Sequence, residues 1–170
     1  MPTSVRIVHT YNVNEDTFWD KLFFDEDYNR RLYLEALKFH DWKVTKHEDM
    51  GDQVHRSIDV VPRLGELPGP MKKVLGDNIR YTESGVLDKA ARRYKITIVP
   101  SALAGKLLVS GELYTEPVDD KHCRRVFETT VEVKVFGLGG MMEKRFVADI
   151  EKSYAVGAKF TNQYATEKGL

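Results

Sequence analysis

Apolar side chains recur at every second position along most of this chain, and at every third or fourth position along the rest. From Val5 to Val13 the positions Val5, Ile7, Tyr11 and Val13 are apolar while Arg6, Thr10 and Asn12 alternate with them, the pattern of a strand with one buried face. Asn14 then has the side chain of a helix N-cap. Phe18, Trp19, Leu22 and Phe23 fall on one side of a short helix. Asp25 or Glu26 opens a second, in which Tyr28, Leu32, Ala36 and Leu37 recur at helical spacing. After His40 the period of two returns: Trp42 and Val44 predict one strand, Gly51 and Asp52 a turn, and Val54, Ile58 and Val60 the strand that completes a hairpin. Pro62, Gly65, Pro68 and Gly69 break the run. Pro70 suits the first turn of a short helix through Met71, Val74 and Leu75 that Gly76 ends.

Four more strands follow. Ile79, Tyr81, Gly85 and Leu87 share one face, as do Tyr94, Ile96 and Ile98, and then Leu107, Val109, Gly111 and Leu113. A turn at residues 117–120 leads to Phe127, Val131, Val133 and Val135, which alternate with Glu128, Glu132 and Lys134. The total is seven strands, the last four read as a meander. Residues 137–140 halt the last strand. A helical stripe then passes through Leu138, Met142, Phe146, Ile150, Tyr154, Gly157 and Phe160. At about 1.5 Å per residue the stretch from Leu138 to Tyr164 is roughly 40 Å long, enough to cross an entire sheet.

The predicted fold class is therefore α+β, a seven-stranded curved antiparallel sheet around a long C-terminal helix, with two short helices after the first strand. This order resembles the START-like superfamily, also called SRPBCC or Bet v 1-like, whose sheet grips the last helix. The resemblance is carried by Phe18 to Phe23, by Pro68 to Gly76 and by Gly137 to Met142. It covers nearly the whole chain and implies one START-like domain over residues 1–170. Within the superfamily the chain looks like a bacterial branch, a domain of unknown function. The superfamily hosts lipid and sterol carriers, polyketide cyclases, hormone receptors and cochaperones, so the resemblance implies a cavity rather than a reaction. A lipocalin lacks two helices after its first strand. An NTF2-like domain ends on a strand, not a long helix.

Charge narrows the partners. The 26 basic residues are balanced by 26 acidic ones; Arg92, Arg93 and Lys95 form one short cluster and Arg124 with Arg125 another, both explained by solvated strand faces. Nucleic acid is not an expected partner, since its binders carry a basic excess or stripe. Cys123 is the single cysteine and forms no internal disulfide. The run from Met1 to Arg6 lacks the apolar stretch of a signal peptide, and no window holds the roughly 18 apolar residues of a membrane span. The expectation is a cytoplasmic protein, monomer or homodimer. It meets lipid, if at all, as a ligand or by transient contact with a membrane surface.

The alternating faces also carry polar groups inward. His9 shares the phase of Ile7 and Tyr11, Arg56 that of Val54 and Ile58, Glu83 that of Tyr81, and Arg125 that of Phe127. Buried charges need partners, and an Arg56–Glu83 pair is the first expected. Residues near strand ends also reach solvent, so that alternative stays open. The candidate ligand-binding set on the sheet is His9, Tyr11, Arg56, Ile58, Tyr81, Glu83, Ile96, Val109 and Phe127. The last helix adds Met142, Phe146 and Ile150. Gly85, Gly111 and Gly157 either leave room for a ligand or mark bends and close packing. Phe23 with Phe24, or residues 64–75, are candidate lids.

Other chemistry finds little support. His47 and His55 flank a turn without a third metal ligand, and His122 and Cys123 project to opposite faces of a strand. No phosphate loop, dinucleotide fingerprint or nucleophile elbow occurs, and no cofactor is expected. The leading expectation is binding or transport of a lipid-like, sterol-like or polycyclic molecule, with no catalytic residue assigned. The alternatives are an enzyme resembling polyketide cyclases or aromatases, with His9, Glu83 or Tyr81 moving protons, and a protein-interaction module without ligand.

Overall fold

The computed structural model describes residues 1–170. Strand β1 (Thr3–Tyr11) is followed by two helical pieces. A short turn Glu15–Thr17 runs on as a π-turn Phe18–Leu22, together α1, and Glu26–Arg31 runs on as a π-turn Leu32–Ala36, together α2. Then come β2 (Asp41–Asp49), β3 (Gln53–Val61), α3 (Gly69–Leu75), β4 (Tyr81–Asp88), β5 (Arg93–Pro100), β6 (Leu107–Asp119), β7 (His122–Val133) and α4 (Gly139–Lys168). The strands form one antiparallel sheet in the order β1-β7-β6-β5-β4-β3-β2. The architecture is the helix-grip arrangement expected from the sequence. The meander is longer than predicted, however, running unbroken from β2 to β7, with β1 returning to pair with β7. No helix is long and apolar enough to cross a membrane.

Local chemistry sets the boundaries. β1 stops at Tyr11 and excludes Val13, because Asn14 turns away to cap α1, its Oδ1 accepting from the Thr17 amide at 2.9 Å. Asp25 caps α2 in the same way, accepting from the Tyr28 amide at 2.8 Å. In both π-turns an amide reaches back five residues, Phe23 to the Phe18 carbonyl and Leu37 to that of Leu32, each at 2.9 Å. This wide turn brings residues i and i+5 to one side. Phe18 and Phe23 thereby share a face with Trp19 and Leu22, their rings 5.7 Å apart.

Helix α4, of 30 residues and so about 45 Å long, lies over β1 and β7. Near its start Glu143 is buried; its carboxylate accepts from the Val133 amide at 2.9 Å and from Thr3 Oγ1 at 2.8 Å. At mid-length Tyr154 stacks on Phe127 with centroids 4.4 Å apart. Toward its end Asn162 accepts from the Asn12 amide at 2.8 Å, and Thr161 meets the Tyr28 hydroxyl at 2.7 Å. The apolar core is split into two blocks. One joins β1, β3–β7, α1, α2 and the C-terminal half of α4; the other joins α3, β6, β7 and the start of α4.

Two strand glycines are sites of close packing, not of room for a ligand. A Cβ on Gly85 would lie 1.9 Å from the Tyr94 ring, and one on Gly111 would lie 2.8 Å from the Phe127 ring. Each glycine lets an aromatic from the adjoining strand lie flat across it. Gly85→Ala is expected to push Tyr94 aside and to lower stability by about 1–3 kcal/mol, read as a fall in the urea midpoint at unchanged slope. An unaltered midpoint would show that the ring moves without cost.

Candidate ligand-binding site

Between the middle of α4 and the concave face of the sheet lies a cavity of about 730 Å³. Its floor is apolar and comes from strands whose alternate side chains point inward: Ile96 and Ile98 of β5, Val109 and Leu113 of β6, and Phe127 of β7. Phe146, Ile150, Tyr154 and Gly157 form the roof, on successive turns of α4. One side wall is α2, whose π-turn lays Leu32, Tyr33, Ala36 and Leu37 against the open volume. The exposed members of the lining, Lys38, Arg63, Gly65, Lys152 and Val156, mark where the cavity meets solvent.

A polar cluster interrupts the apolar wall on β3 and β4. Arg56 is only 5% exposed, and its Nη2 lies 3.6 Å from Glu83 Oε1, the pair expected from strand phase. The same guanidinium donates to the Tyr94 hydroxyl at 3.4 Å and to the Phe23 carbonyl at 3.3 Å, with the rings of Phe23 and Phe24 about it. Burial pushes the Glu83 carboxyl above its ordinary range, and the Arg56 charge offsets only part of that rise. The Tyr81 phenol beside it is pushed up as well, by burial first and by Glu83 second.

A second cluster sits beneath α4 at the other side of the sheet. Arg125 pairs in register with His9 across β1 and β7, and its Nη2 approaches His9 Nδ1 at 2.9 Å and the Tyr154 carbonyl at 3.4 Å. Burial, and then the Arg125 charge, hold His9 below its ordinary value of 6.5. The guanidinium N–H donates a hydrogen bond to the ring nitrogen there, which a neutral imidazole can accept.

Nine of the twelve residues singled out in the sequence line the cavity: Tyr11, Arg56, Tyr81, Glu83, Ile96, Val109, Phe127, Phe146 and Ile150. His9, Ile58 and Met142 do not. His9 is turned to Arg125 near the sheet edge; Ile58 is fully buried between Val44 and Glu83; Met142 is fully buried in the second core block with Met71 and Val131. Of the candidate lids, Phe23 is a core residue under Arg56 with Phe24 packed against the same block; of residues 64–75, Leu64, Gly65 and Leu75 line the cavity, while Met71 is fully buried in the second block. Gly157 also faces the cavity. The α2 wall and the mouth cations were missed: the apolar spacing of α2 was visible, but not that it faces a void. No group of three or more His, Cys, Asp or Glu side chains is placed to hold a metal ion. Cys123 is buried, which pushes its thiol up to about 12.

A sequence-family model described as a protein of unknown function, DUF2505, matches residues 6–165. The chain belongs to that family. No curated protein sequence matches this DUF2505 member. Among solved structures it is similar to the Zhui aromatase/cyclase from Streptomyces sp. R1128, with 13% identity and a TM-score of 0.71 over 100% of this chain and 97% of that one. It is also similar to norcoclaurine synthase from Thalictrum flavum in complex with dopamine and hydroxybenzaldehyde, with 14% identity and a TM-score of 0.65 over 98% and 88%. Ara h 8.0201 gives 14% and 0.65 over 98% and 99%. At these identities the likeness establishes the fold, Bet v 1-like, for this DUF2505 chain.

The His9 site makes stability depend on pH. A folded-state value below 6.5 means that the unfolded chain takes up the proton first, so this contribution is complete above 6.5 and is lost as the pH falls toward the folded value. Glu83, held above 4.5, contributes with the opposite sign. Wild type should therefore lose more of its urea midpoint than His9→Gln between about pH 7.5 and about pH 5.5. Parallel pH curves for the two proteins would rule out the assignment.

Proposed function

We propose that this protein binds a hydrophobic small molecule, lipid-like, sterol-like or polycyclic, between its sheet and α4, as a carrier or receptor. The observation that carries this reading is the cavity itself: about 730 Å³, with 25 of its 39 lining residues hydrophobic. That volume lies within the range of small-molecule sites, and apolar contact there supplies affinity while a few polar groups orient the ligand. The structural neighbours lend support, one being an aromatase/cyclase and another holding dopamine and hydroxybenzaldehyde. The nine cavity-lining residues named from the sequence are proposed as the contact set, within one domain over residues 1–170. A cytoplasmic setting fits a chain whose single thiol is buried.

A second reading is favoured by Glu83, a cavity-lining carboxyl whose raised proton affinity suits general acid–base work. It keeps Glu83 and Tyr81 as candidate proton carriers and drops His9, which lies off the cavity. Organic extraction of the purified protein followed by mass spectrometry separates the readings. A carrier returns its ligand unaltered, an enzyme converts it in a Glu83-dependent way, and an interaction module returns nothing.

Filling the void tests the main reading directly. Val109 stands where the second core block borders the cavity, so Val109→Trp extends an indole from that block into the open volume. It should keep the thermal midpoint and weaken binding of the neutral fluorophore N-phenyl-1-naphthylamine by about tenfold or more. Undiminished binding by a folded Val109→Trp would place the fluorophore elsewhere and count against the cavity.

A further inference from the structure

The chain as a whole is balanced in charge, but the cavity is not. Its charged lining consists of Lys38, Arg56, Arg63, Arg125, Arg145 and Lys152 against Glu83 and Asp149, an excess of four positive charges. Two of the cations are matched: Arg56 by Glu83 at 3.6 Å and Arg145 by Asp149 at 3.0 Å. Lys38, Arg63 and Lys152 stand at the mouth, in water, where an unmatched charge is cheap. Arg125 is different. It is 5% exposed, its Nε is buried with no hydrogen-bond partner, and the groups its Nη2 meets, an imidazole nitrogen and a carbonyl, are neutral acceptors. The rings of Tyr11 and Tyr154 flank it at 5.2 and 4.4 Å and supply no counter-charge.

A guanidinium keeps its charge at physiological pH, and withdrawing it from water without an anion is costly. In the folded chain that cost is met only in part by His9, the Tyr154 carbonyl and the two aromatic rings. An anion arriving with the ligand would complete it, and a carboxylate oxygen does so by accepting a charge-assisted hydrogen bond from the guanidinium. A monoanion matches the single unpaired charge, whereas a dianionic phosphate would bring surplus negative charge into an apolar space.

We infer that the ligand is an amphipathic carboxylate, its head held by Arg125 and its apolar body lying along Ile96, Val109 and Phe146, with Lys38, Arg63 and Lys152 drawing it to the mouth. This rests on the reading of the cavity as a ligand site. The mouth cations act at longer range and sense salt, while the buried one acts by contact. The two kinds of residue therefore differ in what their loss does.

Displacement of N-phenyl-1-naphthylamine from the full chain tests this, with dodecanoate, its methyl ester and dodecyl phosphate as competitors. Dodecanoate should displace the fluorophore at about tenfold lower concentration than the ester, the scale of one charge-assisted hydrogen bond. Arg125→Gln should bring acid and ester together while still binding the neutral fluorophore. Lys152→Gln should retain most of the preference and reduce its sensitivity to salt. Equal displacement by acid and ester in the wild type overturns the inference, as does tighter binding of dodecyl phosphate than of dodecanoate. A preference erased by Lys152→Gln and kept by Arg125→Gln overturns the assignment to Arg125. Should Arg125→Gln not fold, the wild-type ratio and the Lys152→Gln result still decide. Failure of the wild type to bind the fluorophore at all instead removes the cavity reading on which the inference stands.

Discussion

A single helix is too narrow to fill the hollow of a seven-stranded sheet. Strands stand about 4.8 Å apart, so this sheet measures roughly 29 Å across, whereas a helix with its side chains is about 10–12 Å wide. Helix α4 is committed to the β1–β7 side by Glu143 at one end and Asn162 at the other, with the Tyr154–Phe127 stack between. The remaining breadth falls to α1, α2 and α3. The aromatic block of α1 closes one end and α3 the other. What they leave uncovered is the cavity.

That geometry explains why charge survives under the helix. An ion pair in a packed interior seldom adds net stability, because desolvation offsets most of the attraction. Arg56 and Glu83 border open volume, and Arg56 also ties the Phe23 carbonyl at the end of α1 to β3. It is held there by Tyr94, which lies where it does because Gly85 on the next strand offers no side chain. A glycine on one strand thus sets an aromatic on a second and an arginine on a third.

Much of this was legible in the chain because strand phase is a two-state signal. An inward position is inward along the whole strand, so Tyr11, Arg56, Tyr81, Glu83, Ile96, Val109 and Phe127 could be assigned to the concave face before any tertiary information. Phase says nothing of what lies above that face. Ile58 and Met142 point inward as expected and are covered by protein; His9 points inward at the edge, under α4. The α2 wall was hidden for a related reason. Leu32, Ala36 and Leu37 read as an ordinary apolar helix face, and only the π-turn, which adds Tyr33 to it, and the distance to the sheet turn that face into a wall. Lys38, Arg63 and Lys152 come from three separate segments and share no local pattern at all.

The divided core has a thermodynamic meaning. Ile98 and Ile150 border both apolar blocks, and the empty volume lies along the line where those blocks would otherwise join. A guest in that space would touch both at once and serve as the missing piece of interior that the polypeptide does not supply. Occupancy and cooperativity of unfolding then become one variable: the vacant molecule can loosen block by block, and the filled one must come apart as a whole.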